Sequence, residues 1–390
     1  MRQALRHHLF WPVAALVVLV VANTVAKPSF LQVTVTDGHL FGAPVDILRA
    51  AAPLLLIALG MTLVIATRGI DLSVGAVVAV SGAVALEYIS ASPDPGSPVT
   101  VLVAVAIALG LSLLLGLWNG FLVTVLGIQP IIATLILMTA GRGVAMLITG
   151  GFITTVTSEP YKGLNSGFFL GLPTAIWIAV GLFAVVAVVV RRTALGMLLE
   201  ATGINPAASR LAGVRSRTLT WTVYAAAGLL AGLAGILVSA DTMAADANNA
   251  GIFIELDAIL AVVIGGTALS GGKFNLSGTF AGVLVIATLE RTVTVLGISP
   301  HVTPLFMALV VVTVTLLQSP RVRERFAVAA LRRRPAGPDG AAADDGGAVE
   351  PPSGDGSGAG TEPASDAVAG PEAHEGATLQ APTDEREVTR

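Results

Sequence analysis

The chain contains no cysteine, which excludes disulfides, thiolate metal sites and cysteine nucleophiles. Charge is scarce as well. Asp, Glu, Lys and Arg make up 12% of 390 residues, about half the quarter usual in soluble domains. Five histidines, at positions 7, 8, 39, 301 and 374, form no ligand cluster, and neither an HExxH zinc pair nor a GxSxG elbow occurs. The glycine-rich stretch GGTALSGGK at 265–273 is not a phosphate loop, because Gly266 and Gly271 are followed by Gly272 where lysine would be needed. The chain therefore lacks the usual ATP cradle. These absences point to a protein that is not an enzyme and needs no metal or cofactor, and nothing in the pattern suggests nucleic-acid binding.

What is present is apolar. Hydrophobic residues reach 54%, with a mean hydropathy of +0.82. Several runs attain the ~18–20 residues needed to cross a bilayer. The pattern predicts an all-α, polytopic transmembrane helical bundle of about ten spans, near 9–26, 46–66, 73–90, 99–126, 130–149, 173–190, 219–240, 256–270, 277–296 and 302–318. The first run follows Arg2 and Arg6 and lacks a convincing cleavage site, so it reads as a retained helix. With the N-terminus inside, the even connections collect Arg68, Arg191, Arg192, Arg210, Arg215, Arg217 and Lys273, as the excess of cytoplasmic basic residues requires. Opposite connections hold little beyond Lys27, Arg49 and Lys162. Both termini are thus expected in the cytoplasm of a bacterial inner membrane.

Three regions follow: a permease-like membrane domain over 1–320, a basic cytoplasmic segment at 321–334, and a tail over 335–390. The tail holds twelve of the 25 acidic residues and only Arg386 and Arg390 as bases. Rich in Gly, Ala and Pro, it cannot bury enough apolar surface to fold. It reads as disordered, either an inert extension or a regulatory one.

The stretch GMTLVIATRGIDLSVGAVVAV at 60–80 carries Arg68 and Asp71 inside an apolar run. Two readings fit. In one, Thr67-Arg68-Gly69 is a cytoplasmic turn and Asp71 or Ser73 caps the next helix. In the other, a helix is broken at depth and its freed backbone lines a path. A second segment, 265–283, repeats the turn chemistry: Asp71-Leu72-Ser73 has its counterpart in Asn275-Leu276-Ser277.

The longest inward connection, about 191–218, contains Asn205 as a predicted N-cap and Pro206 at the first helical position. Ala207, Ala208 and Leu211 then form a small apolar face beside Arg210, and Gly213 ends the helix. Such an exposed helix among arginines suits either docking of a soluble partner or adhesion to anionic membrane lipid. The outward loop 241–257 gathers Asp241, Asp246, Asn248, Asn249, Glu255 and Asp257, groups that can hydrogen-bond sugar hydroxyls, solvate a loop or contact a protein. Glu290 and Arg291 are placed to pair with each other. Ionisable groups otherwise cluster at span ends, which argues against an ion-coupled carrier.

Three blocks together, VIATRGIDLSVGAV, GINPAASRLAGV and ELDAILAVVIGGTALSGGKFNLSGT, resemble the permease subunits of bacterial ribose-type sugar ABC importers over about residues 10–320. TDGHLFGAPVDILRAAAP and ADANNAG are similar to the galactofuranose branch of that family. The resemblance implies a membrane permease that moves a monosaccharide into the cell, with a separate ABC ATPase subunit below. It also implies a substrate-binding protein above and a second permease subunit, as a hetero- or homodimer. It makes Asn205, Ala207, Ala208, Arg210, Leu211 and Gly213 the ATPase-coupling helix. Asp71, Ser73, Asp246, Asn248, Asn249, Asp257 and Asn275 are the residues expected at the path or the receptor. An ATP-independent carrier or channel, or import of ribose, xylose or a nucleoside on the same scaffold, remain the alternatives. One departure stands out: the family usually has Gly-Gly-Ile-Asp where this chain has Arg68-Gly69-Ile70-Asp71. Arginine there implies a position that does not need φ > 0.

Overall fold

The computed structural model describes residues 9–297 and, beyond them, the isolated positions 302, 305, 308, 309 and 312. Apart from those positions, the expected span at 302–318 lies outside the described residues. So do the basic segment 321–334 and the tail. Among the described residues, seven helices are long and apolar enough to cross a membrane: α2 (Ala43–Ala66), α3 (Val74–Ala91), α4 (Pro98–Thr124), α5 (Pro130–Ile148), α7 (Thr174–Arg192), α10 (Ser216–Thr242) and α12 (Leu276–Val295). Their bounds fall within a few residues of the hydropathy runs, because each run ends on proline, glycine or charge. A further apolar helix, α1 (Phe10–Ala26), precedes them.

One expected span is corrected. The run at 256–270 yields only α11 (Ile254–Ile264), of 11 residues. At 1.5 Å per residue it rises about 16 Å, half the ~30 Å hydrocarbon core. Gly265 and Gly266 stop it, the latter at φ 86°.

Burial sorts the helices into two sets. α2, α3, α10 and α12 are more than two-thirds buried, whereas α4, α5 and α7 are less than a third buried and turn apolar faces outward. α10 is the hub, packed on α4, α2 and α3. Small residues permit that approach. A Cβ on Gly116 of α4 would lie 3.1 Å from Gly228 Cα of α10, and Gly60 of α2 faces Ala227 at 2.9 Å. Close backbone approach replaces the hydrophobic drive that lipid cannot supply between helices.

The face away from α8 and α9, termed outward from the orientation expected of the sequence, carries three two-stranded ribbons that hydropathy does not show. β1 (Thr34–Thr36) pairs with β2 (His39–Phe41), β3 (Thr154–Thr155) with β6 (Ala244–Ala245), and β4 (Phe168–Phe169) with β5 (Leu172–Pro173). The first turns on Asp37-Gly38, both at positive φ, as a tight hairpin demands. α6 (Glu159–Ser166) lies between β3 and β4 in sequence. On the opposite face, α8 (Leu195–Ile204) and α9 (Pro206–Leu211) connect α7 to α10.

Candidate functional site: an inward junction and a sunken outward segment

Three turns meet at the end that carries α8 and α9, termed inward from the same expectation. α2 closes with Thr67 Oγ1 donating to the Val64 carbonyl at 2.9 Å. Gly272 N–H then donates to the Ala66 carbonyl at 2.9 Å. The Arg68 guanidinium donates to the Ile204 carbonyl at the end of α8. The two segments that share turn chemistry in the sequence, 60–80 and 265–283, therefore touch each other and the end of α8. Gly203 is the tightest point, because a methyl group there would overlap the Ala66 carbonyl and Gly272 N. Both obstacles are backbone and cannot rotate away. Gly203→Ala is expected to cost about 1–3 kcal/mol and to lower the unfolding temperature in detergent. Gly110→Ala, with nothing within 4 Å, serves as the neutral comparison.

Arg68 itself corrects an expectation. It adopts φ 66°, the left-handed region that favours glycine, so position 68 does require positive φ. Arginine costs about 1 kcal/mol of backbone strain there, offset by its bond to Ile204. The Gly69 site is closed to any side chain, since Val64 Cγ1 stands 2.8 Å from where a Cβ would sit.

Asp71 and Ser73 are sunk in the bundle, only 2% and 1% exposed. Neither caps α3 from the side chain in the expected way. Ser73 occupies the N-cap position without a side-chain cap bond, and Asp71 Oδ1 instead accepts Ser73 N–H at 2.9 Å and Ser73 Oγ–H at 2.6 Å. Asn119 Nδ2 of α4 donates to Ser73 Oγ at 2.8 Å, and Thr134 Oγ1 of α5 donates to the Ile70 carbonyl at 3.2 Å. The turn thus starts at the surface with Arg68 and ends at depth with Asp71. Asn119 Oδ1 and Tyr224 Oη remain buried without a partner among the described residues.

Asn275 likewise does not cap α12. Its N–H donates to Thr267 Oγ1 at 3.1 Å and its Nδ2 to the Gly265 carbonyl at 3.4 Å. α9 has the cap and the stop expected of it. Asn205 Oδ1 accepts from Ala207 N and Ala208 N at 3.1 and 3.0 Å, and Gly213 follows the end at φ 83°. Asn205, Ala207, Ala208, Arg210, Leu211 and Gly213 are all exposed, and Leu211 reaches 91%.

On the outward side, Asp246 satisfies its own turn. Oδ1 accepts from Asn248 N and Asn249 N, and Oδ2 accepts from Asn249 Nδ2 at 2.6 Å. The Asn249 side chain, then the backbone donors, hold its carboxyl below the usual carboxylate range despite some burial. Asn248 is exposed and Asp257 is half-buried on α11. Asp241 is engaged with Arg49 at 2.8 Å and with Asn165 Nδ2 at 2.7 Å. The expected Glu290–Arg291 pair does not form. Arg291 faces Asp46 of α2 at 3.1 Å, because neighbours in a helix point to different sides.

The residue that sequence reasoning missed is Arg142. It lies within α5, and its Nη1 and Nη2 donate to the carbonyls of Ala250 and Gly251 at 3.2 and 3.1 Å. Glu255, 3% exposed, stands beside it, with Oε2 against Gly75 in the first turn of α3. Ionisable groups are therefore not confined to span ends. The segment 246–253 dips into the bundle until Gly251 meets Gly75. Only Val74 separates Gly75 from Ser73, so the inward turn and the outward segment nearly touch. Above them a cavity of about 410 Å³ is bounded by Val78, Gly82, Ser239, Asp246, Asn249 and Gly251. The available signal was Arg142 in an otherwise uncharged run.

Comparison with known proteins places the chain. The family model described as "Branched-chain amino acid transport system / permease component" matches residues 43–315. The chain is 49% identical to the galactofuranose transporter permease protein of Escherichia coli (strain K12) over 317 residues, 80% of this chain and 91% of that one. It is 42% identical to the fructose import permease protein of Bifidobacterium longum (strain NCC 2705), covering 82% and 90%. Identity to the ribose import permease protein of Escherichia coli (strain K12) is 37%, covering 78% and 92%. No solved structure matches.

Proposed function

The chain belongs to the family of permease components of branched-chain transport systems, and from that membership we propose that it carries a monosaccharide, galactofuranose first, into the cytoplasm at the cost of a partner's ATP. Its curated relatives are permeases for galactofuranose, fructose and ribose, which supports a multi-pass inner-membrane sugar permease. The galactofuranose assignment rests on the higher identity to that relative. The proposed partners are an ABC ATPase, a substrate-binding protein and a second permease subunit.

One observation carries the coupling role: a capped, six-residue helix, α9, whose apolar end stands in solvent. A docked ATPase would bury Leu211 against an apolar surface of its own. The same end supports a cytoplasmic orientation. Arg68, Arg191, Arg192, Arg210, Arg215, Arg217 and Lys273 have no carboxylate partner among the described residues, whereas Arg49 and Arg291 at the other end are ion-paired. Orientation follows the count of Lys and Arg at each end rather than their pairing, and the end with α8 and α9 holds seven against Lys27, Arg49, Lys162 and Arg291 at the other.

The mechanism needs no bond chemistry. ATP-driven closure of the partners moves α8–α9, and Arg68–Ile204 and Ala66–Gly272 pass that motion to the turns at 66–73 and 265–275. Asp71 and Ser73, with Asp246, Asn248, Asn249, Asp257 and Asn275, are proposed at the path or the receptor contact. The two ends bias one bistable path. Purification of the full chain in mild detergent is expected to bring down an ATPase in stoichiometric amount. A lone permease under gentle cross-linking overturns the reading. One observation favours a second reading: Arg142 and Glu255 lie within the bundle, as in ion-coupled carriers. Uptake that persists after removal of the ATPase would select it.

A further inference from the structure

A second cleft, of about 540 Å³, opens at the inward end between the last turn of α7, α8 and the start of α12. Its polar lining is Arg191, Lys273, Glu200, Asn275 and Ser277, and its rim carries Leu9 and Phe274. Arg191 Nη2 donates to Ser277 Oγ at 2.8 Å, which points the guanidinium at the cleft and leaves most of its five donors unused. Lys273 makes no ion pair or hydrogen bond among the described residues, and neither Arg191 nor Lys273 reaches Glu200 within salt-bridge distance. Two cations and one acid thus face a cavity with an unmatched positive charge. The first-turn N–H groups of α12 add to it, since the Asn275 side chain caps none of them.

We propose that this cleft binds a phosphate group, carried by an anionic phospholipid. Charge and donors select phosphate, which takes a forked guanidinium and an ammonium readily. The rim selects the lipid as its carrier. Leu9 stands at the N-cap of α1, whose Val13, Val17, Val18, Val21 and Val25 are all exposed apolar surface. The cleft therefore opens where a lipid-facing helix enters the bilayer, with Phe274 beside it for the first acyl carbons. Basic pockets between spans on the cytoplasmic side are where anionic headgroups gather. A headgroup there would touch α12, α8 and the turn at 265–275 together, and so would bear on the junction next to the coupling helix. The inference uses the orientation proposed above but no cargo, so it stands or falls apart from the sugar assignment.

The test is lipid retention by the full chain in nanodiscs or detergent, read by native mass spectrometry. Phosphatidylglycerol is expected to be retained over phosphatidylcholine. Lys273→Glu is expected to weaken that preference by at least about fivefold, the effect of roughly one surface cation. Glu200→Gln is expected to strengthen it by a similar factor, a change of sign that a misfolded variant cannot produce. Equal retention of both lipids, or no response to either variant, overturns the proposal. Displacement of phosphatidylglycerol by millimolar inorganic phosphate overturns the lipid source.

Discussion

Ala208→Asp and Leu211→Asp are each expected to lower uptake at least tenfold while leaving the protein inserted at normal levels. The argument starts from exposure. Leu211 is 91% exposed and Ala208 stands on the same six-residue helix, so neither substitution disturbs the bundle. Asn205 still caps the helix through Ala207 N and Ala208 N, because the cap uses backbone donors. What changes is the surface offered to a partner. A carboxylate carried into an apolar contact without a counter-charge costs about 2–5 kcal/mol, and 1.4 kcal/mol is already tenfold. Uptake of labelled sugar and ATP hydrolysis by the assembled complex are the two readouts. Hydrolysis that continues while uptake stops is the signature of lost coupling. Normal uptake in both variants removes the coupling role from α9. Asn205→Ala is the milder companion. It loses about 1 kcal/mol of helix capping and is expected to reduce uptake only in part.

That helix was legible in the sequence because its signals are local. Asn before Pro, a short apolar face and a glycine stop act within ten residues, so no tertiary fact was needed. The long spans were legible for the same reason. The outward segment was not. Hydropathy at 256–270 cannot tell an 11-residue half-helix from a full span, because Gly265 and Gly266 end α11 without interrupting the apolar run. Asp71 shows the limit differently. Its sequence marks a turn, and the turn exists, but its depth is decided by Asn119, Thr134 and Tyr224 on three other helices. Arg68 was misjudged because tertiary contact with Ile204 offsets the strain of its φ. Charge pairing failed at Arg291 for the reason that distant partners such as Asp46 leave no trace in local spacing.

Arg142→Ala is expected to abolish uptake and to release the outward segment, and the released segment can be seen without a background signal. The chain has no cysteine, so Ala247→Cys places a single thiol at a position only 3% exposed. In the otherwise native chain that thiol is expected to resist a polar maleimide. With Arg142→Ala added, labelling is expected to rise at least about tenfold. Two charge-assisted bonds, to the Ala250 and Gly251 carbonyls, are lost, and each contributes about 1.5–3 kcal/mol. Those carbonyls belong to irregular backbone inside the bundle, where unmet polar groups are tolerated only with a protein partner. Arg142→Lys is expected to fall between, since an ammonium lacks the planar fork that spans both carbonyls. Glu255 decides what Arg142 is for. If the arginine served chiefly to neutralise that carboxylate, adding Glu255→Gln to Arg142→Ala would restore protection and uptake. The geometry argues for no rescue, because Arg142 bonds the two carbonyls and makes no ion pair with Glu255. A cycle of the two single variants and the double separates these outcomes, as contacts within one network do not add. Protection unchanged in Arg142→Ala would mean that Gly75 packing alone seats the segment.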